Sequence, residues 1–311
     1  MHILNRVPTR SAALRICLAF VVLVAVPAGA WGASYLGTAA DYAVFGLYTP
    51  PTGTFVNLSN VTVGSLTVNG NVAVGPYGTC SFMAPSVVYG NIYRHYVGPL
   101  APENATGSGP GVFMGGGTWV NRDLTQANAD ALWAYNDASG RTATQTFGSI
   151  TGSQTVVGNG GINVISIASI NLSSSENLLF SGGLNDFFIV NVTGGLDMNG
   201  NGTIGGAGSV GAGDILLNFI GDGNKLTSHV DNVINGTVLA PYRSVEFHSA
   251  NGAVLAGGTE LKLMSDSTVN YVPLTSYYVP PQPAVPEPSA LLLALLGGVS
   301  AFGGRLIRKR R

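Results

Sequence analysis

Charged side chains are scarce in this chain. Its 311 residues include 14 Lys and Arg and 15 Asp and Glu, a charged fraction of 9%, against about a quarter in an average domain. This scarcity excludes a coiled coil and a basic nucleic-acid-binding protein, and it argues against an enzyme with an ion-rich helical surface. Disorder driven by charge is excluded as well, because 46% of the residues are hydrophobic.

Cysteine is scarce too. The chain has two, Cys17 and Cys80, and Cys17 falls in an N-terminal segment that we expect to be removed. The remaining thiol then has no intramolecular partner, so no internal disulfide is expected. Without disulfides, the fold has to be stabilised by a continuous core.

The few charges are segregated along the sequence. Three arginines precede residue 16, and five basic residues follow residue 304. The segment 31–288 keeps six basic residues and all fifteen acidic ones, which gives it a net charge of −9. An acidic body therefore lies between two basic ends, and both ends have the character of targeting signals.

The N-terminus has the three-part pattern of a secretory signal. Basic residues precede an apolar run from Ile16 to Val26, and small residues follow at Ala28 and Ala30, where a signal-peptidase site is expected. The run has about eleven residues, fewer than the roughly 17 to 25 of a membrane-spanning helix. We therefore predict a signal peptide over residues 1–30, with the secretion translocon and signal peptidase as partners.

The C-terminus carries a second apolar segment. A Pro-rich linker over residues 276–285 cannot form a regular strand or helix. The apolar run after it predicts a transmembrane helix over about residues 289–307, long enough to cross a bilayer of roughly 30 Å. By the positive-inside rule the basic cluster at its end acts as a cytoplasmic membrane stop and leaves the body outside. The cluster comprises Arg305, Arg308, Lys309, Arg310 and Arg311.

This C-terminal arrangement resembles a known sorting signal. Residues 285–289 read Val-Pro-Glu-Pro-Ser, and the apolar segment and the basic cluster follow in order. The order resembles the PEP-CTERM sorting signal of exported bacterial proteins, which here would cover residues 286–311. The resemblance implies that a membrane-embedded exosortase cuts near Pro286, Glu287 and Pro288 and passes the body to the cell surface or the extracellular matrix. The alternative is a plain single-span tail anchor with a chance Pro-Glu-Pro.

The body over residues 31–275 has the pattern of an all-β fold. Short β-branched runs such as 60–64 and 162–167 alternate with Asn-Gly and Gly-Gly turns. Residues 234–241 recur as residues 250–257, an offset of 16. A repeat on this scale favours a β-solenoid, in which each coil buries its inward Val, Leu and Ile against the next and corner Asn side chains hydrogen-bond between coils. A β-sandwich is the alternative.

One segment of the body has helical periodicity. Asp123 and the next three residues form a capping-box arrangement, and Gly140 supplies a stop. These signals predict an α-helix over about residues 124–139 that lies against one side of the solenoid. Trp133 is expected in the core, and the apolar positions at helical spacing are Leu124, Ala127, Ala131, Tyr135 and Ala138.

Three stretches of the body resemble the ice-binding-like β-solenoid family, namely residues 36–46, 68–75 and 134–142. Residues 218–219 and 235–241 are more similar to the choice-of-anchor A domain, another exported β-helical domain. The two resemblances imply a right-handed parallel β-helix with one flanking α-helix. Neither of them implies catalysis.

No motif for a catalytic, cofactor or metal site stands out, so none of these sites is expected. His95, His229 and His248 lack the spacing of metal ligands. Alternation puts His248 on the same face as Glu246, and a surface pair is expected there.

These patterns indicate an exported, non-enzymatic bacterial protein, structural or adhesive, that is membrane-anchored as a precursor and then lies on the cell surface or in the matrix. One alternative is an ice-binding protein, which needs ordered Thr-x-Thr rungs on a flat face; only residues 142–146 have that spacing. The other is a carbohydrate-active β-helix enzyme, whose candidate carboxylates by spacing are Asp186, Asp197 and Asp214. Extracellular polysaccharide is the candidate partner of the body.

Overall fold

The computed structural model describes residues 34–49, 52–53, 55–58, 66–82, 86–99, 101, 104–108, 117–264 and 266–275. The predicted signal peptide, Pro-rich linker and sorting segment lie outside these residues, together with their cleavage and membrane-stop positions. Among the described residues, no helix is both long and apolar enough to cross a membrane. The structure therefore tests the predicted solenoid body.

Short strands dominate the part of the body before its helix. A 3₁₀ helix, Gly37–Asp41, comes first. The strands are β1 (Val44–Gly46), β2 (Tyr48–Thr49), β3 (Thr52–Gly53), β4 (Phe55–Leu58), β5 (Thr67–Asn69), β6 (Val72–Val74), β7 (Thr79–Phe82), β8 (Val87–Val88), β9 (Ile92–His95), β10 (Thr106–Ser108) and β11 (Trp119–Arg122).

The α-helix α1 spans Thr125–Gly140, and the remaining strands follow it. A second 3₁₀ turn, Ala212–Asp214, interrupts them. The strands are β12 (Gln145–Ile150), β13 (Gln154–Val157), β14 (Ile162–Leu172), β15 (Asn177–Gly182), β16 (Phe187–Val192), β17 (Leu196–Met198), β18 (Thr203–Gly208), β19 (Ile215–Phe219), β20 (Leu226–Ser228), β21 (Val233–Asn235), β22 (Thr237–Ala240), β23 (Val245–Phe247), β24 (Ser249–Asn251), β25 (Val254–Ala256), β26 (Glu260–Leu263) and β27 (Thr268–Asn270).

Parallel pairing identifies the fold as a solenoid and excludes the β-sandwich. Among the described residues, β2 and β3 form an antiparallel hairpin, and the other strand pairs are parallel. Apart from this hairpin, the strands form a 17-stranded sheet and an eight-stranded sheet. The predicted 16-residue repeat is confirmed, because Ile234 pairs with Ala250 and Val238 pairs with Val254.

The coils do not stack throughout in the order of the sequence. Strand β1 lies between β25 and β6, with Val44 paired to Val254 on one side and to Val72 on the other. The first strand of the described body therefore lies in the middle of the stack, the coils build from it up to β11, and the body continues after α1 at the opposite end with β12. From there the coils return to β25, β26 and β27, beside the first coil. Consecutive coils are neighbours in the part before α1 and in the part after it. At the junction of the two parts, the first coil instead lies beside the last coils of the body.

The predicted flanking helix is confirmed within one residue at each end. It contacts β16, β19 and β22 of the 17-stranded sheet, and the five apolar positions from Leu124 to Ala138 are all buried. Trp133 is half-buried and packs at the rim of this cluster instead of in its core. Small Ala side chains on the packed face let the helix approach the sheet closely.

The predicted capping box forms only in part. The Asp123 carboxylate accepts the backbone N–H of Thr125 at 2.9 Å. Hydrogen bonds from the side chain and then from the backbone of Thr125 lower the pKa of Asp123. The reciprocal bond is missing, because the Gln126 side chain donates to Asp130 one turn further on at 2.6 Å. Local pairing along the helix surface has replaced the second arm of the box.

Two clusters of buried side chains form the core. One lies inside the coils and stacks residues such as Val68, Ile234 and Val269. The other lies between the coils and α1 and includes Phe187, Leu216 and Leu255. Cys80 belongs to the first cluster; it is a free thiol whose pKa is raised by burial. Stacked aliphatic side chains therefore supply the continuous core that the sequence indicates.

Candidate functional site

The eight-stranded sheet carries no charged side chain in its strands. In spatial order these strands are β13, β15, β18, β21, β24, β27, β5 and β8. None of these strands contains Lys, Arg, His, Asp or Glu. Strands of the 17-stranded sheet, by contrast, carry Arg94, Asp197, Glu246 and Lys262. Since side chains alternate along each strand, one half faces the core and the other half forms an uncharged outer face.

Four asparagines form a hydrogen-bonded column across this face, which we call the Asn column. Asn251 donates from Nδ2 to Oδ1 of Asn235 at 2.6 Å, and Asn270 donates to Oδ1 of Asn251 at 2.8 Å. Asn69 extends the column by donating to Oδ1 of Asn270 at 2.6 Å. Each inner member donates one amide bond and accepts one, so the side chains are oriented at the spacing of the coils.

A second outward column runs beside the Asn column and is rich in hydroxyl and β-branched side chains. At one of its steps Thr268 donates its backbone N–H to Oγ of Ser249 at 3.3 Å. On the inner side of the same strands Ile234, Ala250 and Val269 are buried, which fixes the register of the outer side. This column, called the Thr column below, contains Thr203, Val233, Ser249, Thr268, Thr67 and Val87.

Both columns cross the junction between the last coil and the first. The triplet Thr-Val-Asn at residues 268–270 pairs residue by residue with the same triplet at residues 67–69. The 16-residue repeat predicted that Asn235 and Asn251 would stack. It missed Asn69 and Asn270, which lie 201 residues apart; the repeated Thr-Val-Asn triplet is the sequence signal that could have linked them.

The structure does not bring together the three carboxylates considered for a carbohydrate-active site. Asp186 is buried at a corner, where the side chain of Asn163 donates to it at 2.7 Å and holds its pKa below the usual range. Asp214 accepts from Thr275, and Asp197, on strand β17, accepts from Thr227 of the neighbouring strand β20. Without a shared partner or a common cleft, they do not form the carboxylate pair that glycoside hydrolysis requires.

The histidines are also dispersed. His95 is buried, and its Nδ1 accepts the backbone N–H of Leu124 at 3.1 Å. His248 is only 5% exposed, so the expected surface position is wrong. It is the single residue between β23 and β24, and the residues on both sides of it belong to strands of the stack. His248 and Glu246 nevertheless line the same cavity. Within the described ranges, no three His, Cys, Asp or Glu residues could hold a metal ion together.

Solved structures with a similar fold are ice-binding proteins. One from an Antarctic biological consortium has 20% identity and a TM-score of 0.50, with coverage of 75% of this chain and 88% of that chain. The protein LeIBP from an Arctic yeast has 20% identity, a TM-score of 0.50 and coverages of 81% and 98%. One from an Antarctic Flavobacteriaceae bacterium has 19% identity, a TM-score of 0.51 and coverages of 79% and 49%. At these identities the likeness shows a shared fold.

A comparison with curated proteins gives no match. The family description that matches the sequence is that of an ice-binding-like adhesive domain, over residues 35–263. This range contains all the stretches that resemble the ice-binding-like solenoids, and the likeness to the choice-of-anchor A domain stays a prediction. The match covers well over half of the chain, including the helix and every strand of the uncharged sheet except β27 (Thr268–Asn270). The chain therefore belongs to the ice-binding-like adhesive domain family.

Proposed function

We propose that this protein is an exported, non-enzymatic adhesive domain that attaches to uncharged solid surfaces through its eight-stranded sheet. The observation that carries the proposal is the absence of charge from all eight described strands, together with the two ordered outward columns. An uncharged face loses little hydration energy on contact with a neutral surface, since no ionised group has to be desolvated. The hydroxyl and amide groups of the columns can donate and accept hydrogen bonds to such a surface.

The proposal also includes export of the protein and its sorting by two cleavages, one at each end of the chain. Signal peptidase is expected to cut after Ala30, and an exosortase near Glu287, with the cluster from Arg305 to Arg311 as the stop. Mass spectrometry of the mature termini in cell, envelope and medium fractions measures both cuts. An intracellular protein that retains residues 286–311 would contradict the sorting pathway and leave the adhesive face to be tested separately.

Adhesion through the sheet is tested by placing a charge in the Thr column. We expect Thr67→Lys and Thr268→Lys to lower adsorption to a hydroxyl-terminated, uncharged surface by about tenfold or more, because the ammonium must be desolvated at the contact. The matched control is Thr79→Lys, which changes an exposed threonine of the 17-stranded sheet. Adsorption is measured by quartz crystal microbalance. Equal adsorption of all three variants and the unmodified protein would refute the role of this face.

Ice is a second candidate surface, favoured by the stacking of Thr67 and Thr268 in one column. The similar solved structures are those of ice-binding proteins, which agrees with this candidate. The Thr-x-Thr segment at residues 142–146 gives no support, because it enters the terminal strand β12 and lies outside the eight-stranded sheet. Thermal hysteresis and ice recrystallisation inhibition test this candidate. Activity that is lost in Thr67→Lys and kept in Thr79→Lys would assign ice to the sheet.

A further inference from the structure

Two adjacent cavities lie on the 17-stranded sheet, away from the uncharged face. One has a volume of about 270 Å³ and is lined by the ends of β14 and β17 and by the chain entering β20. The other has a volume of about 190 Å³ and is lined by β20, β23 and the residue after β26. Lys225 and Thr227 line both. The two cavities therefore adjoin, and together they are called the polar groove below.

The polar groove runs across the strands, along the direction in which the coils stack. Its outward residues are in register from coil to coil: Asn171 pairs with Asp197, Asp197 with Thr227, and Thr227 with Glu246. Consecutive strands are about 4.8 Å apart, so a polar side chain recurs at about that interval. This repeat is comparable with the rise of an extended chain of pyranose units. A linear polymer of sugars could therefore place one unit over each coil.

The charges of the polar groove cancel within the groove. Lys225 and Lys262, the two lysines of the segment 31–288, both contact the carboxylate of Glu246. Those contacts lower the pKa of Glu246 against the opposing effect of burial. Asp197 accepts the hydroxyl of Thr227 at 2.8 Å and lies 3.8 Å from Nε2 of His229. The groove presents carboxylate, ammonium, hydroxyl and amide groups side by side and has little net charge.

This mixture matches a ligand that both donates and accepts hydrogen bonds at every unit. Sugar hydroxyls do both, and carboxylates and amides bind them in proteins as oriented polar partners. A polyanion is disfavoured, because the segment 31–288 has a net charge of −9 and the charges of Lys225 and Lys262 are balanced by those of Glu246 and Asp197. We propose that the polar groove binds a single chain of a linear, uncharged polysaccharide. This binding is separate from adsorption through the eight-stranded sheet.

Affinity electrophoresis in native gels tests the groove, with hydroxyethylcellulose and linear dextran as uncharged probes and alginate as a polyanion. We expect at least one uncharged probe to retard the protein. Asp197→Asn and Thr227→Val should each weaken the retardation about tenfold, since the first replaces a charged acceptor by a neutral amide and the second removes a hydroxyl partner of the ligand. The matched control Thr203→Val makes the same change in the Thr column and should leave the retardation unchanged.

Several outcomes overturn the proposal. They are an absence of retardation by both uncharged probes, stronger retardation by alginate, and equal effects of Thr227→Val and Thr203→Val. The variant Thr67→Lys separates the two faces, because it should lose adsorption to solid surfaces and keep the retardation in gels. Circular dichroism melting of each variant identifies any loss that is due to unfolding, and Asp197→Asn, which can still accept from Thr227, keeps the test valid if Thr227→Val is unstable.

Discussion

The buried guanidinium of Arg243 offers the most direct test of how the coils are held together. Arg243 is 3% exposed and follows β22. It donates to the carbonyl oxygens of Thr193 at 2.9 Å and Gly194 at 2.7 Å, in the corner after β16. It also donates to the carbonyls of Ile220 at 2.6 Å and Gly221 at 3.1 Å, in the corner after β19. One side chain therefore joins the corners of three successive coils.

The expected cost of removing it follows from these four bonds. Each charge-assisted hydrogen bond contributes about 1.5–3 kcal/mol, so the bonds sum to roughly 6–12 kcal/mol before desolvation. Taking an arginine out of water costs several kcal/mol, and this burial also lowers the pKa of Arg243. Arg243→Met should therefore destabilise the protein by about 3–5 kcal/mol, because four carbonyl oxygens at the corners lose their donor. Arg243→Lys should recover only part of this loss. An ammonium can still donate to carbonyl oxygens, but it cannot span both corners.

Urea unfolding followed by tryptophan fluorescence measures the effect as a shift of the midpoint at constant slope. The matched control is Arg94→Met, which removes a half-buried arginine that bonds Asn121 at 2.6 Å and stacks on Trp119. We expect the control to cost less than about 1 kcal/mol. A cost for Arg243→Met no larger than that of the control would refute the conclusion that the corner bonds stabilise the stack.

Three further predictions concern single polar side chains of the stack. Asp186→Asn should cost about 2 kcal/mol, because an amide N–H would oppose a backbone donor such as that of Gly183, 2.7 Å from Oδ2. Because the pKa of Asp186 is lowered, its contribution to the free energy of unfolding is present above pH 3.8 and lost below it. The melting temperature of Asp186→Asn should therefore change less on acidification than that of the unmodified protein. Burial raises the pKa of Tyr42 to about 12, so the free energy of unfolding should fall as the pH rises from 10 through 12. Unfolding curves at alkaline pH should show a smaller fall for Tyr42→Phe, which has no phenol to ionise. Asn251→Asp should lower the melting temperature more at pH 7 than at pH 3, since a carboxylate cannot donate to Oδ1 of Asn235.

Local signals in the sequence predicted the local elements well. The helix was expected over residues 124–139 and spans Thr125–Gly140, because its apolar spacing and its flanking signals lie within one segment. The 16-residue repeat gave the pairing of β21 with β24 and of β22 with β25 for the same reason. The second arm of the capping box was wrong, because Gln126 had a competing acceptor at Asp130.

The order of the coils could not be predicted from local signals. Val44 pairs with Val254, far away in the sequence, and nothing around Val44 specifies that partner. A parallel strand accepts any neighbour of matching length and pattern, so the choice is made by tertiary packing. The same argument applies to the Asn column, in which the step from Asn270 to Asn69 joins residues 201 positions apart.

The junction of the first and last coils has a functional consequence. In a parallel stack, the residue at one position of a coil meets the same position of the next coil, so a surface column is only as long as the run of matching coils. Because the coil ending in Asn270 is continued by the coil containing Asn69, the Asn column extends across the start of the body instead of ending there. The same stacking keeps the charges of Asp197, Glu246 and Lys262 on the other sheet. A chain with few charges thereby obtains one uncharged face and one polar groove, which suits a domain that holds a solid with one and a polymer with the other.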